Sequence, residues 1–296
     1  MKKRLLISVV FFAIGGLVWY LFLKPYEYLV TFRADTFPGT INQTVKLWSS
    51  SLNNSSIVNQ SSLSSFDQEL SIGNKTYRYT WQVEMLNDST AEVSVLVTEP
   101  GNSLTNKIAI PFLSTQLEED TENTIKSFYQ KLMEHLGKFK VKVEGLATLE
   151  DTFCICMPLE TDQYGKAGGM MANYSLISSF IVENDLKAAG VPFVEVTKWE
   201  KETDQLRFNF CYPIADRGSL PEHAELIYKT LEARKAIKAV YNGNYISSDR
   251  AWYALLFYAK KNSIETVDLP IEFFYNNPNF DSNELDWRAE IFLPIK

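Results

Sequence analysis

The last apolar segment of the chain carries the residues with the most evident binding chemistry. Successive side chains of a β-strand point to opposite faces, so Arg288, Glu290 and Phe292 share one face and Ala289 and Ile291 share the other. A carboxylate flanked by aromatic rings in an apolar cleft attracts a cation strongly, because few water molecules screen its charge. We therefore predict a ligand-binding role for Glu290. The alternative is a solvated carboxylate paired with Arg288.

A second group of candidate residues surrounds a glycine turn. Tyr241 and Tyr245 flank an Asn-Gly-Asn turn, and Trp252 lies on the helix predicted to follow it. Aromatic side chains commonly form the walls of small-molecule pockets. Each candidate has an alternative that stays open. Trp252 would otherwise be a core residue beneath its helix, and the two tyrosine hydroxyls would be exposed at the turn without contacting a ligand.

The cysteines and histidines offer little metal or redox chemistry in the sequence alone. Three cysteines are too few for a disulfide framework. Cys154 and Cys156 would share one face of a strand and are poorly placed to bridge each other, so we interpret them as small apolar fillers. No Cys-x-x-Cys pair occurs, and His135 and His223 lie far apart. We therefore predict neither a metal site nor a cofactor.

The elements that must position these candidates form an internal repeat. Each of two units is predicted to contain a strand, a helix and two further strands, and Arg207–Ile214 aligns without a gap on Arg288–Ile295. The repeat predicts two related modules that meet at a pseudo-symmetric interface, with Asn209 equivalent to Glu290. The predicted elements are strands at 153–159, 193–199 and 206–214 with a helix at 169–189, then strands at 236–241, 271–275 and 287–295 with a helix at 249–261.

Five segments of this half of the chain form a recognisable series: Tyr241-Asn-Gly-Asn-Tyr245, Ala251-Trp252, Pro270-Ile-Glu272, Tyr275-Asn-Asn-Pro278 and Arg288-Ala-Glu-Ile-Phe-Leu-Pro-Ile295. In these segments it resembles the GyrI-like effector-binding domain, which also lies behind DNA-binding domains in multidrug-sensing transcription regulators. The resemblance implies two modules around a concave pocket that accepts apolar, often cationic, aromatic compounds, with the family's pocket glutamate at Glu290. The predicted ligand-binding residues are Glu290, Trp252, Tyr241, Tyr245, Arg288, Phe292 and Asn209.

Three functions stay open at this point. The first is a binding module for a small apolar or cationic aromatic molecule, without a DNA-binding domain of its own. The second follows from the resemblance, because some GyrI-like proteins look like hydrolases of reactive electrophiles. Glu290 would then be the general base, with a pKa raised by burial, and Tyr245 the proton donor. The third is an interaction protein whose pockets are filled and inert. No nucleophile elbow, triad order or phosphate-binding loop supports catalysis.

The N-terminus predicts a membrane anchor. Lys2-Lys3-Arg4 precedes Leu5–Leu23, a segment without a charged residue and long enough for the ~30 Å hydrocarbon core. Trp19 and Tyr20 fit the aromatic belt of a membrane interface, and their bulk replaces the small residues of a signal-peptide cleavage site. We predict an uncleaved single-pass helix with the N-terminus in the cytoplasm and the remaining chain outside, because the positive charges precede the helix.

The segment that follows is predicted to form an antiparallel sheet with one long helix. It resembles the START-like helix-grip fold in the order of its elements. The predicted elements are strands at 26–34, 66–72, 77–85, 91–98 and 107–113, a short helix near 41–52, a loop at 49–65 and a long helix from about Asp120 to Gly137.

The whole chain is therefore predicted to be an α+β protein of three parts: an anchor at 1–25, a START-like domain at 26–145 and a GyrI-like domain at 146–296. The net charge of −7 and a pI of about 5.1 argue against a basic nucleic-acid-binding face. The expected partners are a small ligand and, through residues 5–23, a membrane.

Overall fold

The computed structural model describes residues 2–215, 219–277 and 283–296. It confirms an α+β fold with two antiparallel sheets and an N-terminal apolar helix. The chain divides into two compact units, Met1–Glu134 and His135–Lys296. The predicted boundary at 145/146 must move to 134/135, because strand 139–149 is hydrogen-bonded within the second unit.

The first unit begins with α1 (Lys2–Val18), which continues into a π-helical turn at Trp19–Leu23. The helix at Lys3–Leu23 is long and apolar enough to cross a membrane. Large apolar side chains such as Phe11, Phe12 and Phe22 are exposed along it. Burial within the unit therefore does not account for its apolar composition.

The remainder of the first unit is a five-stranded antiparallel sheet in the order β1-β5-β4-β3-β2. Phe128 on the long helix packs against Trp48 and Trp81, with ring centroids 5.5 and 4.9 Å away. The elements are β1 (Tyr28–Ala34), α2 (Pro38–Ser50), β2 (Ser55–Ser62), β3 (Ser65–Ile72), β4 (Lys75–Met85), β5 (Ala91–Thr98), α3 (Ser103–Ala109) and α4 (Gln116–Leu136). The likeness to a START-like fold stays a prediction.

Two predictions in this unit are wrong. The segment predicted as a strand at 107–113 is occupied by α3 and the turn that follows it, where Asn106 and Lys107 are buried. The Ser/Asn-rich segment predicted as a loop at 49–65 contains β2, which pairs with β3. Strand β2 carries few apolar side chains, so its position is set by backbone pairing at the sheet edge rather than by a hydrophobic pattern.

The second unit is built on an antiparallel sheet in the order β10-β7-β9-β8-β12-β13-β11-β6. The two modules of the repeat lie side by side, because β8 of the first pairs with β12 of the second. The elements are β6 (Phe139–Leu149), β7 (Thr152–Asp162), α5 (Lys166–Glu183), β8 (Phe193–Trp199), β9 (Gln205–Pro213), β10 (Ile227–Leu231), β11 (Arg234–Gly243), α6 (Arg250–Lys261), β12 (Ile271–Phe274) and β13 (Arg288–Pro294).

The connections of this sheet require it to curl. Two-residue turns at 150–151 and 232–233 join β6 to β7 and β10 to β11, although these strands stand near opposite ends of the strand order. The amide of Ala233 donates to the Asp151 carboxylate, which ties the two turns together. Leu149 of β6 and Leu231 of β10 accordingly belong to one apolar cluster. The sheet therefore has a concave side.

The two faces of the sheet differ in what covers them. The helix face packs under α5 and α6: Gly169 of α5 lies over Phe208 and Leu159, and Trp252 of α6 reaches Glu272 on β12. The opposite, concave face is called the inner face. It gathers side chains from all eight strands of the sheet into one cluster, namely Leu149, Cys154, Cys156, Phe193, Cys211, Leu231, Ala236, Ile271 and Phe292.

Candidate functional site

Glu290 lies on the inner face and is mostly buried, with its side chain 12% exposed. Its carboxylate accepts hydrogen bonds from Lys238 at 2.9 Å, from the Tyr275 hydroxyl at 2.9 Å and from Arg288. Lys238 stands on the neighbouring strand β11, and Tyr275 follows β12 on the other side of β13. Glu290 is thus the centre of a polar cluster that spans three adjacent strands.

The protonation of this cluster follows from its contacts. Burial by itself raises the pKa of Glu290, but hydrogen bonds from Lys238 and Tyr275, together with the charges of Lys238 and Arg288, lower it below its ordinary value. Burial and the hydrogen bond to Glu290 raise the pKa of Tyr275 to about 12. At neutral pH Glu290 is therefore ionised and Tyr275 is a hydrogen-bond donor. The expectation of a raised pKa for Glu290 is wrong.

A second carboxylate–lysine pair lies on the inner face in the first module. Glu195 of β8 accepts hydrogen bonds from Lys229 of β10 and, at 2.9 Å, from the Asn209 side chain. Asn209 occupies the position equivalent to Glu290 in the repeat, and it is 8% exposed. Asn209 and Glu290 therefore lie on the same face of the sheet, as predicted. In the first module, however, the carboxylate is supplied by Glu195 rather than by the residue equivalent to Glu290.

Aromatic side chains separate the two polar clusters. Phe193 of β8 stacks on Phe273 of β12 with ring centroids 5.0 Å apart, and Phe273 meets Phe292 edge-on at 5.7 Å. The Lys238 ammonium lies 5.6 Å from the centre of the Phe292 ring. The inner face thus combines an aromatic wall with charged groups at both ends, as ligand sites with a few placed polar groups do.

Trp252 occupies the helix face. It is fully buried, its indole nitrogen donates to Glu272, and it packs edge-on against Trp199 at 4.9 Å. Glu272 also accepts hydrogen bonds from Lys166 and Ser248, so this cluster joins α5, α6 and β12. The structure therefore corrects the placement of Trp252 beside Glu290, because the sheet lies between them. Glu272, which belongs to one of the matching segments, is fully buried.

Tyr241 and Tyr245 do not share a surface with Glu290. Tyr241 is buried beside Phe139, and its hydroxyl donates to the Asn244 carbonyl at 2.8 Å. The Tyr245 hydroxyl donates to the Arg288 carbonyl at 2.9 Å and accepts from the backbone amide of Asn276. The Tyr245 hydroxyl is therefore bonded to the backbone and not to the Glu290 carboxylate. The tyrosine that donates to Glu290 is Tyr275.

The cysteines correct the sequence argument most directly. Cys156 of β7 and Cys211 of β9 stand opposite each other and form a disulfide. Cys154 is a buried free thiol whose sulfur lies 3.4 Å from that of Cys156. Cys156 is thus half of a covalent bridge rather than an apolar filler. The expectation that Cys154 and Cys156 do not bridge each other agrees with this geometry.

Lys238 and Tyr275 are the partners that sequence reasoning missed. Lys238 follows from the strand register, which sets it on the same face as Phe292 and one strand away from Glu290. A signal existed for Tyr275, since it belongs to one of the matching segments. Pro278 of that segment lies outside the described residues. Of the predicted ligand-binding set, Glu290, Arg288, Phe292 and Asn209 share the inner face, and their roles in binding stay predictions.

Most of the second unit matches a known protein family. The family model described as the GyrI-like small molecule binding domain matches residues 159–296. This part of the chain is a GyrI-like small molecule binding domain. No curated protein has a sequence that matches this chain significantly.

Solved structures with a related arrangement are distant in sequence. The EcmrR C-terminal domain is 14% identical with a TM-score of 0.45, covering 53% of this chain and 98% of its own. SAV2435 bound to tetraphenylphosphonium is 14% identical with a TM-score of 0.39, covering 52% and 94%. A hydrolase from Listeria innocua is 8% identical with a TM-score of 0.36, covering 57% and 98%. The family assignment rests on the matching family model.

Proposed function

We propose that the GyrI-like domain captures a small apolar or cationic aromatic molecule on its inner face, in a chain held at a membrane by α1. The observation that carries the proposal is the match of residues 159–296 to a family of small molecule binding domains. The aromatic wall of Phe193, Phe273 and Phe292 beside the ionised Glu290 supports the same ligand class.

The contacts of Glu290 define how a cation would bind. Its carboxylate is already neutralised by Lys238 and Arg288, so an incoming cation must compete with at least one of them. Arg288 has a side chain that is 47% exposed and is the easier one to displace, whereas Lys238 is 20% exposed. Aromatic rings on the ligand would stack against Phe292 and Phe273 while its charge faces Glu290. Binding is therefore an exchange of cations rather than the filling of an unpaired acidic site.

Tetraphenylphosphonium is a suitable probe because it is both aromatic and cationic. The full chain in detergent should show a rise in Tm on its addition, and Glu290→Gln should remove most of that rise. The matched control is Glu160→Gln, which alters a carboxylate paired with Arg207 and 59% exposed at another strand pair. An equal response in both variants would contradict the role of Glu290. If the wild type hydrolyses an activated ester and Glu290→Gln does not, the domain is a hydrolase rather than a binding module.

We further propose that the two units lie outside the cytoplasm. The charges of Lys2, Lys3 and Arg4 at the start of α1, against Lys24 alone just after the apolar run, favour a cytoplasmic N-terminus. The Cys156–Cys211 disulfide supports an oxidising compartment, because such bridges are rare in the cytosol. Acid quenching of intact cells, followed by alkylation of the denatured protein, tests this. Cys156 and Cys211 should be protected from alkylation until a reductant is added; labelling of both without reductant would contradict the orientation.

A further inference from the structure

The three cysteines of the chain meet at one place on the inner face. The sulfur atoms of Cys154, Cys156 and Cys211 all lie within 4.8 Å of one another, and all three residues are fully buried. Cys154 and Cys156 come from the same strand β7, two positions apart, and Cys211 stands opposite Cys156 on β9. The convergence follows from strand register, because residues two apart on a strand share a face.

The spacing of the sulfurs fits a metal ion as well as a disulfide. Three sulfurs that surround an ion at ~2.3 Å each stand about 4 Å apart, a spacing within the 4.8 Å that encloses the three sulfurs here. The Cys154 and Cys156 sulfurs are already 3.4 Å apart. Reduction of the bridge removes the bond that holds the Cys156 and Cys211 sulfurs together, so they can separate.

The surroundings select the type of ion. Thiolates are soft ligands that favour monovalent copper or zinc over hard cations. Structural zinc sites take four ligands, and among the described residues the cluster of possible metal ligands here consists of the three sulfurs alone. Phe193, Leu231 and Phe292 keep the cluster apolar. Lys229, directly across from Cys154, is paired with the Glu195 carboxylate, so these two charges offset each other beside the cluster.

We propose that reduction of the Cys156–Cys211 disulfide opens a three-sulfur site, with Cys154 as the third ligand, for a soft monovalent ion such as Cu⁺. A small dithiol supplies two electrons and two protons, breaks the S–S bond to leave two thiols, and becomes a disulfide itself. Copper then coordinates the three sulfurs, and each sulfur that binds as a thiolate releases one proton to the solvent. No electron is transferred in the second step. The disulfide is thus the closed state of the site.

The test uses the full chain in detergent under anaerobic conditions, with Cu⁺ alone as the probe and a chromogenic copper chelator as competitor. The reduced protein should bind one Cu⁺, and X-ray absorption should show a copper ion with sulfur neighbours only. The oxidised protein should not compete with the chelator. Cys154→Ala keeps the disulfide and should lower copper affinity of the reduced protein by at least about tenfold, since it removes one of three soft ligands.

Control measurements keep the proposal open to refutation. His223→Gln removes a side chain that is also a good copper ligand, away from the cluster, and should leave the affinity unchanged. Circular dichroism checks that the reduced protein stays folded. Loss of fold on reduction, equal binding by the oxidised protein, or unchanged affinity in Cys154→Ala would each overturn the site. Tighter binding of Zn²⁺ than of Cu⁺, measured in competition, would overturn the choice of ion.

Discussion

Two glutamates on neighbouring strands show how the faces of one sheet are used differently. Glu272 of β12 points to the helix face, where its side chain is fully buried with Lys166, Ser248 and Trp252. Glu290 of β13 points to the inner face, where its side chain is 12% exposed and pairs with Lys238, Arg288 and Tyr275. Each carboxylate accepts a hydrogen bond from a lysine and from at least one further donor.

The difference lies in whether a partner can be exchanged. Lys166 and Glu272 have no exposed surface, so breaking their pair leaves a charge in an apolar interior with no water to solvate it. Around Glu290, Lys238 and Arg288 retain contact with solvent and can turn outward when another cation arrives. Similar charge pairs are therefore closed to solvent on one face and partly open to it on the other, which is what the proposed exchange of cations at Glu290 requires.

The largest expected effect is the loss of stability when the buried Lys166–Glu272 pair is broken. Lys166→Met leaves Glu272 charged and buried, and we expect it to lower the free energy of unfolding by about 3–5 kcal/mol. Denaturant unfolding followed by tryptophan fluorescence measures the change. The control is Lys201→Met, which removes a partner of the partly exposed Asp268 and should cost less than about 1 kcal/mol. Equal losses in the two variants would contradict the distinction between the faces.

The inner face contains one strong constraint, the disulfide. Replacing both Cys156 and Cys211 by Ala frees a loop with a sequence separation of 55 residues. We expect a loss of about 2–4 kcal/mol in stability, because the unfolded chain regains conformational entropy. Cys154→Ala, which keeps the bridge, should cost less. Mass spectrometry of denatured, unreduced protein should find one alkylated thiol in the wild type; three would show that the bridge does not form.

Lys238→Met removes a side chain that competes with a ligand cation for the Glu290 carboxylate. A ligand cation no longer has to displace this lysine, so we expect its affinity to increase by roughly 1 kcal/mol, the scale of a partly exposed ion pair. Isothermal titration calorimetry with tetraphenylphosphonium measures the change. The matched variant Lys229→Met removes the lysine that pairs with Glu195 on the same face of the sheet. Weaker binding of tetraphenylphosphonium to Lys238→Met, or an equal increase in affinity in both variants, would show that cation exchange at Glu290 does not occur.

The smallest expected effect is the pH dependence of the Glu290 cluster. The folded pKa of Glu290 lies below its ordinary value of 4.5, so its pairing stabilises the fold above that pH and the contribution is lost as pH falls through the folded pKa. Tyr275→Phe removes a hydrogen bond to this carboxylate and should cost about 1 kcal/mol near neutral pH. Its deficit against wild type should shrink in acid. A deficit that is constant with pH would assign the loss to packing instead.

Much of the second unit was predictable because its signals are local and repeated. The two strands that end in Pro-Ile were predicted to within about one residue, and the inner face of β13 was predicted from alternation alone. Strands β6 and β10 were not predicted. Strand β6 does carry a strand signal, because Phe139, Val141 and Val143 alternate with Lys140, Lys142 and Glu144. Strand β10 is short and follows a polar segment, so it lacks such a pattern.

The sequence by itself determined which side chains share a strand face, where the modules repeat, and that an apolar helix begins the chain. These properties depend on neighbours along the chain, which the alternation of a strand or the length of an apolar run defines. Only the tertiary structure decided that Tyr275 rather than Tyr245 reaches Glu290, that Lys238 neutralises it, and that Cys211 joins Cys154 and Cys156. Those contacts depend on register between strands that lie far apart in sequence.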